Sequence, residues 1–120
     1  MPDTSSATAS SLVIVLNNAA AATLAIALRY ASTAAAMDVA VELHAVSGAV
    51  TLLRVGALDA ALLAQLQQAT ALGVAVYACP AALSDHALVA DQLITDVAGV
   101  RGAASLLAAG LAPGARFMVF

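Results

Sequence analysis

At 120 residues the chain is the size of one domain, and 63% of it is hydrophobic while only 9% is charged, against about 25% charged in an ordinary soluble domain. The net charge is −3, lysine is missing, and Arg29, Arg54, Arg101 and Arg116 are scattered, so no basic stripe exists to neutralise a phosphate backbone and nucleic-acid binding is not expected. The single cysteine excludes an internal disulfide framework and fits a reducing compartment.

So few charges leave much of a monomer's surface apolar, and apolar patches of that kind demand a partner. A homo-oligomer is the expectation. The mean hydropathy of +1.00 also raises the question of a membrane. Between Asp3 and Arg29 no charged residue intervenes, a length sufficient to span a bilayer. The stretch nevertheless opens on the polar "DTSSATASS" and is split by Asn17 and Asn18, which are costly in hydrocarbon. No basic n-region precedes "SLVIVL", as a signal peptide requires. The reading is a soluble, cytoplasmic protein with no membrane partner.

Residues 1–10, small and polar, are expected to be a flexible leader, and residues 11–120 a single α/β domain. "SLVIVLNN" is a β-branched run without alternation, as suits a strand buried on both faces. "AAAATLAIALRYASTAAA", from Ala19 to Ala36, favours helix, with Leu24, Leu28 and Ala31 on one face, and Met37 and Asp38 break it. "VAVELHAV" is a second strand and "SGAVTLLRVGA" a glycine-bounded connection. "LDAALLAQLQQATAL" is the clearest amphipathic helix, burying Leu58, Leu62, Leu66 and Ala69, with Gly73 as its stop.

"VAVYAC" is a third buried strand. "PAALSDHALVADQLI" reads as a helix opened by proline at its first position, with a second start at Ser84. "TDVAGV" is a short strand or turn, "RGAASLLAAGL" a helix and "PGARFMVF" a closing strand. Asp59, Asp85, Asp91 and Asp96 are spaced like solvated helix faces. Strands and helices alternate throughout, which predicts a three-layer α/β sandwich on a mostly parallel, Rossmann-like sheet of about five strands.

Open parallel sheets bind ligands where the carboxyl ends of their strands meet the loops. Those ends are "LNN", "HAVSG" and "ACP", so Asn17, Asn18, His44, Ser47, Gly48 and Cys79, with Pro80, are expected to share one rim. At or just before a helix N-terminus, free amides and the positive end of the macrodipole stabilise a thiolate on Cys79. The thiolate is the attacking species in sulfur transfer and disulfide exchange. The alternative is an inert cysteine packed among alanines. His44 is either a base or donor beside Cys79 or a cap on its strand. His86, about two helical turns beyond Cys79, reads as a helix-surface residue. No CxxC, HExxH, GxSxG or P-loop pattern occurs. One cysteine and two histidines are too few for a metal site, and no cofactor is expected.

The order of these features resembles the DsrE/DsrF-like family, small α/β sulfur-relay proteins that include the sulfurtransferase subunits of tRNA thiolation. The resemblance covers Ser11 to Phe120. It rests on "VELHAVSGAVTLLRVG", on "GVAVYACPAAL", where the family often carries its cysteine, and on the tail "DQLITDVAGVRGAASLLAAGLAPGARFMVF". It implies a Rossmann-like sheet, assembly into dimers, trimers or hexamers, and a persulfide carried on Cys79 between donor and acceptor proteins. The chain departs from the pattern in its missing lysine, its alanine load and "LHAVSG" in place of a more aromatic, acidic segment. Two functions follow. One is sulfur relay through Cys79; the other is a non-enzymatic oligomeric module with a ligand or docking pocket at the strand ends.

Overall fold

The computed structural model describes residues 10–120; the expected leader lies outside the described residues except for Ser10. Strands β1 (Ser11–Leu16), β2 (Ala40–Ala45), β3 (Ala75–Ala78), β4 (Val97–Val100) and β5 (Ala115–Val119) form one sheet in the order β4-β3-β2-β1-β5. Every pairing is parallel, so the sheet is wholly rather than mostly parallel. Helices α1 (Ala21–Ala36), α2 (Ala60–Ala71), α3 (Pro80–Asp85) and α4 (Ala103–Gly110) connect the strands and cover the sheet.

Strand alternation decides what each face buries. Ile14 and Leu16 of β1, Val41 and Leu43 of β2 and Val76 of β3 enter one core with Leu24, Leu28 and Ala31 of α1 and Leu62, Leu66 and Ala69 of α2. These are the apolar helix stripes predicted from sequence, apart from Leu58, which precedes α2 and is only partly buried. The opposite face carries α4, packed over β1 and β5. β5 displays both directions: the Phe120 ring, just past its end, lies 5.9 Å from Tyr30 of α1, while Phe117 turns the other way onto Gly110 of α4. One eight-residue helix thus covers a face whose counterpart has two longer ones.

Helix ends explain where expectation and structure part. At the end of α2, Val74 N–H bonds to Ala69 C=O and Gly73 N–H to Thr70 C=O, a Schellman closure with Gly73 at φ 103°. The same pair of bonds ends α1 through Asp38 at φ 64° and α3 through Ala87 at φ 54°. Buried Leu83 and Leu88 seal the third of these. The helix predicted from Pro80 through Ile94 therefore stops at Asp85, and only a 3-10 turn, Ala90–Gln92, follows. The connection after β2 is likewise more than a loop: Ser47–Leu53 form a 3-10 helix that buries Ala49, Val50, Leu52 and Leu53. Asp59, read as a solvated helix residue, is the N-cap of α2, its carboxylate accepting from Leu62 N–H at 2.8 Å.

Candidate functional site

Each chain segment leaving the sheet keeps one more ladder bond, and these bonds build a continuous rim. Asn17 N–H donates to Phe120 O at 2.9 Å, Val46 N–H to Leu16 O at 2.9 Å, Cys79 N–H to Ala45 O at 3.0 Å and Arg101 N–H to Ala78 O at 3.0 Å. The row across the molecule therefore runs Phe120, Asn17, Val46, Cys79, Arg101. With strands about 4.8 Å apart, Cys79 stands about 10 Å from Asn17. The strand order reverses between β1 and β5, so the crevice usual in doubly wound sheets falls at Asn17 and Phe120. Cys79 lies two strands to one side of it.

Cys79 is a free, half-buried thiol that also touches the core. It is the N-cap of α3, extended at φ −77° and ψ 125°, and its side chain makes no capping bond. Pro80 at the first helical position pre-sets φ and has no N–H of its own, leaving the Ala81 and Ala82 amides as the free donors of that turn. α3 is only six residues long, so those local amides, rather than a long macrodipole, supply the positive potential at this end. A Cβ added to Gly102, the N-cap of α4, would sit 3.7 Å from Pro80 Cγ. The first turns of α3 and α4 thus begin side by side, flanked by Cys79 and Arg101.

The remaining expected residues divide into two groups. Exposed Asn17, Asn18 and Ser47 and half-buried Gly48 form the β1–β2 half of the rim. Asn18 Oδ1 accepts from Ala20 N–H at 3.0 Å, an Asx turn just ahead of α1. Ser47 occupies a left-handed φ of 53°, and Gly48 O accepts from the Thr51 hydroxyl at 2.7 Å. Cys79 and exposed Pro80 belong to the β3–β4 half.

His44 is not in a rim loop. It lies within β2, 2% exposed, beside Tyr77 in register, with ring centroids 5.2 Å apart. Its Nε2 stands 2.8 Å from Glu42 Oε1, so its polar bond runs back along β2 to Glu42 rather than to Cys79. His86 caps the far end of α3. Arg101 was missed from sequence: it is exposed, and its guanidinium carbon lies 4.3 Å from the Tyr77 ring centroid. Its only trace is a single charge after a weak strand. Among the described residues no three His, Cys, Asp or Glu side chains gather as a metal site would need.

Three cavities lie elsewhere: one of about 450 Å³ along β4 with Asp91 and Thr95, one of about 420 Å³ under α4 with Glu42, and one of about 390 Å³ around Ser10 and Arg116. None of these three is lined by Cys79, Pro80, Asn17, Asn18, Ser47 or Gly48.

A parallel sheet with its chemistry-bearing side chains strung along the carboxyl rim defines a small Rossmann-like α/β protein. The model of the DsrE/DsrF-like family matches residues 10–120, and the chain belongs to that family. The chain is similar in fold to the protein of unknown function MTH1491 from Methanobacterium thermoautotrophicum, with a TM-score of 0.76 and 18% identity over 92% of this chain and 99% of that one. It is similar also to the ychN protein from E. coli, with a TM-score of 0.71 and 16% identity over 94% of this chain and 100% of that one. BT1422 from Bacteroides thetaiotaomicron gives a TM-score of 0.72 and 16% identity over 92% of this chain and 94% of that one. No curated protein matches the sequence significantly. At these identities the likeness carries the fold alone. No helix among the described residues is long and apolar enough to cross a membrane.

Proposed function

We propose that this protein is a sulfur-relay subunit that carries sulfane sulfur as a persulfide on Cys79. The observation that carries the reading is a free, half-buried thiol at the β3–α3 junction in a chain of the DsrE/DsrF-like family. In the loading step the Cys79 thiolate attacks the outer sulfur of a donor persulfide. The donor's S–S bond breaks, a new S–S bond forms on Cys79, and the donor leaves as a thiolate. In unloading, an acceptor thiolate attacks that outer sulfur and Cys79 is the leaving group, so no external oxidant or reductant is consumed. The free Ala81 and Ala82 amides are placed to hold negative charge at the N-cap, and exposed Pro80, Ser47 and Asn17 border the approach. This chemistry suits the reducing cytoplasm and a homo-oligomer that meets separate donor and acceptor proteins.

The test is thiol reactivity. Cys79 in the folded protein is expected to alkylate with iodoacetamide at neutral pH faster than a free cysteine peptide. Polysulfide treatment is expected to add sulfur-sized increments to the intact mass that dithiothreitol removes and Cys79→Ser abolishes. A thiol that stays unmodified until denaturant is added overturns the proposal.

A further inference from the structure

We infer that the cavity beneath the carboxyl-terminal half of α4 is a binding site for a small organic ammonium ion, with the Glu42 carboxylate as its counter-ion. The starting point is the pattern of β2. Val41, Leu43 and Ala45 enter the main core, so Glu42 and His44 point to the opposite, α4-covered face. A sheet layer under a helix is ordinarily apolar, and a carboxylate there is costly unless it is paired.

His44 pairs with it and fixes its orientation. The imidazole is 2% exposed and wedged against the Tyr77 ring, so it cannot swing out, and its Nε2 meets Glu42 Oε1 at 2.8 Å. With Nε2–H as donor, the ring engages one carboxylate oxygen and leaves the other over. Glu42 remains 31% exposed on its side chain, and Oε2 has no partner among the described residues. It lines a cavity of about 420 Å³ with Val13, Ala75, Ala109 and Ala112, a volume within the ordinary range for small-ligand sites. No arginine lines that cavity, and Arg101 is committed to Tyr77.

The surrounding backbone carries the same sign. Gly73, which closes α2, and Ala109, in the last turn of α4, both lie in the cavity wall. Two helix carboxyl ends, where the macrodipole is negative, therefore border the space that Glu42 faces. The apolar walls suit an alkyl body, and among the described residues a bare divalent cation would find one carboxylate and no cluster of three ligating side chains.

The probe is n-butylamine, an ammonium ion at neutral pH, followed by calorimetry and by amide shifts in ¹H–¹⁵N spectra of the full chain. Saturable binding is expected, with the largest shifts at Glu42, Ala75 and Ala109. Isosteric n-butanol and the Glu42→Gln variant are each expected to bind roughly tenfold more weakly or worse, as befits loss of a charge-assisted contact. Ala109→Leu fills the cavity while leaving Glu42 and His44 in place, and is expected to abolish binding, which keeps the test alive should Glu42→Gln fold poorly. Equal affinity for amine and alcohol, an unchanged affinity in Glu42→Gln, or shifts confined to other surfaces would overturn the inference.

Discussion

Gly110 decides how closely α4 approaches β5. A Cβ built there falls 1.8 Å from Phe117 Cζ, so the ring occupies the volume that any other residue would need. In an open helix, Gly→Ala gains about 1 kcal/mol from propensity. Here overpacking costs about 1–3 kcal/mol, and the half-exposed ring can relieve only part of it. Gly110→Ala is therefore expected to lower stability by about 1 kcal/mol in urea unfolding, since the clash outweighs the propensity gain. In a Phe117→Ala background the same change is expected to stabilise, because the ring is gone and the propensity term remains. An unchanged sign in the two backgrounds would refute the contact. Residues that act through local backbone chemistry were readable in the same way: Pro80 opens α3, Gly73 ends α2, and Cys79 falls at the junction between strand and helix. The Glu42–His44 pair was also within reach, because residues two apart on a strand share a face. It escaped because His44 was read as a strand-end residue at the rim beside Cys79, whereas it lies inside β2 and its ring turns back to Glu42.

Among the elements, the apolar stripes and the proline start of α3 were legible because they follow from periodicity and local chemistry that a short window contains, whereas Ser84 starts no helix and the Asp59 cap of α2 went unread. The end of α3 was not legible. Its Schellman closure places Ala87, a residue with no left-handed preference, at φ 54°, and its stabilising contact joins Leu83 to Leu88 across the turn. Nothing in "SDHALV" announces a stop; buried packing imposes it against propensity. Alanine in the left-handed region carries a penalty of roughly 1–2 kcal/mol that glycine avoids, offset by about 0.5–1 kcal/mol for glycine's greater unfolded-state freedom. Ala87→Gly is accordingly expected to stabilise the protein and raise its melting temperature by about 2–4 °C. Asp38→Gly, at a residue that tolerates φ 64° better, is expected to gain less. A fall in melting temperature for Ala87→Gly would mean that this turn is not closed as described.

For the molecule as a whole, the layered parallel architecture was legible, while strand order and asymmetry were not. Alternating apolar strands and helices predict a parallel sandwich, but which face receives α1, α2 and α3 and which receives only α4 depends on long-range crossovers that no local pattern encodes. That asymmetry bears on assembly. Leu107 on α4 and Leu111 just past its end are 49% and 74% exposed, and Val119 on the adjoining edge strand is 68% exposed, while the same stretch carries no charge but Arg116. Covering a leucine completely is worth roughly 1.5–3 kcal/mol, and a symmetric contact counts each side chain twice. We therefore expect this face to lie between copies of the chain, and sedimentation velocity to give a mass that is a multiple of the 11.8 kDa protomer. Leu107→Glu with Leu111→Glu buries two carboxylates in such a contact without touching the main core, so the double variant is expected to sediment as a protomer with an unchanged far-ultraviolet spectrum. A parent protein that already sediments as a protomer would refute the assembly. A variant that stays oligomeric would place the contact on the outer side of α1 instead, where Ile26, Tyr30 and Met37 are the exposed apolar residues.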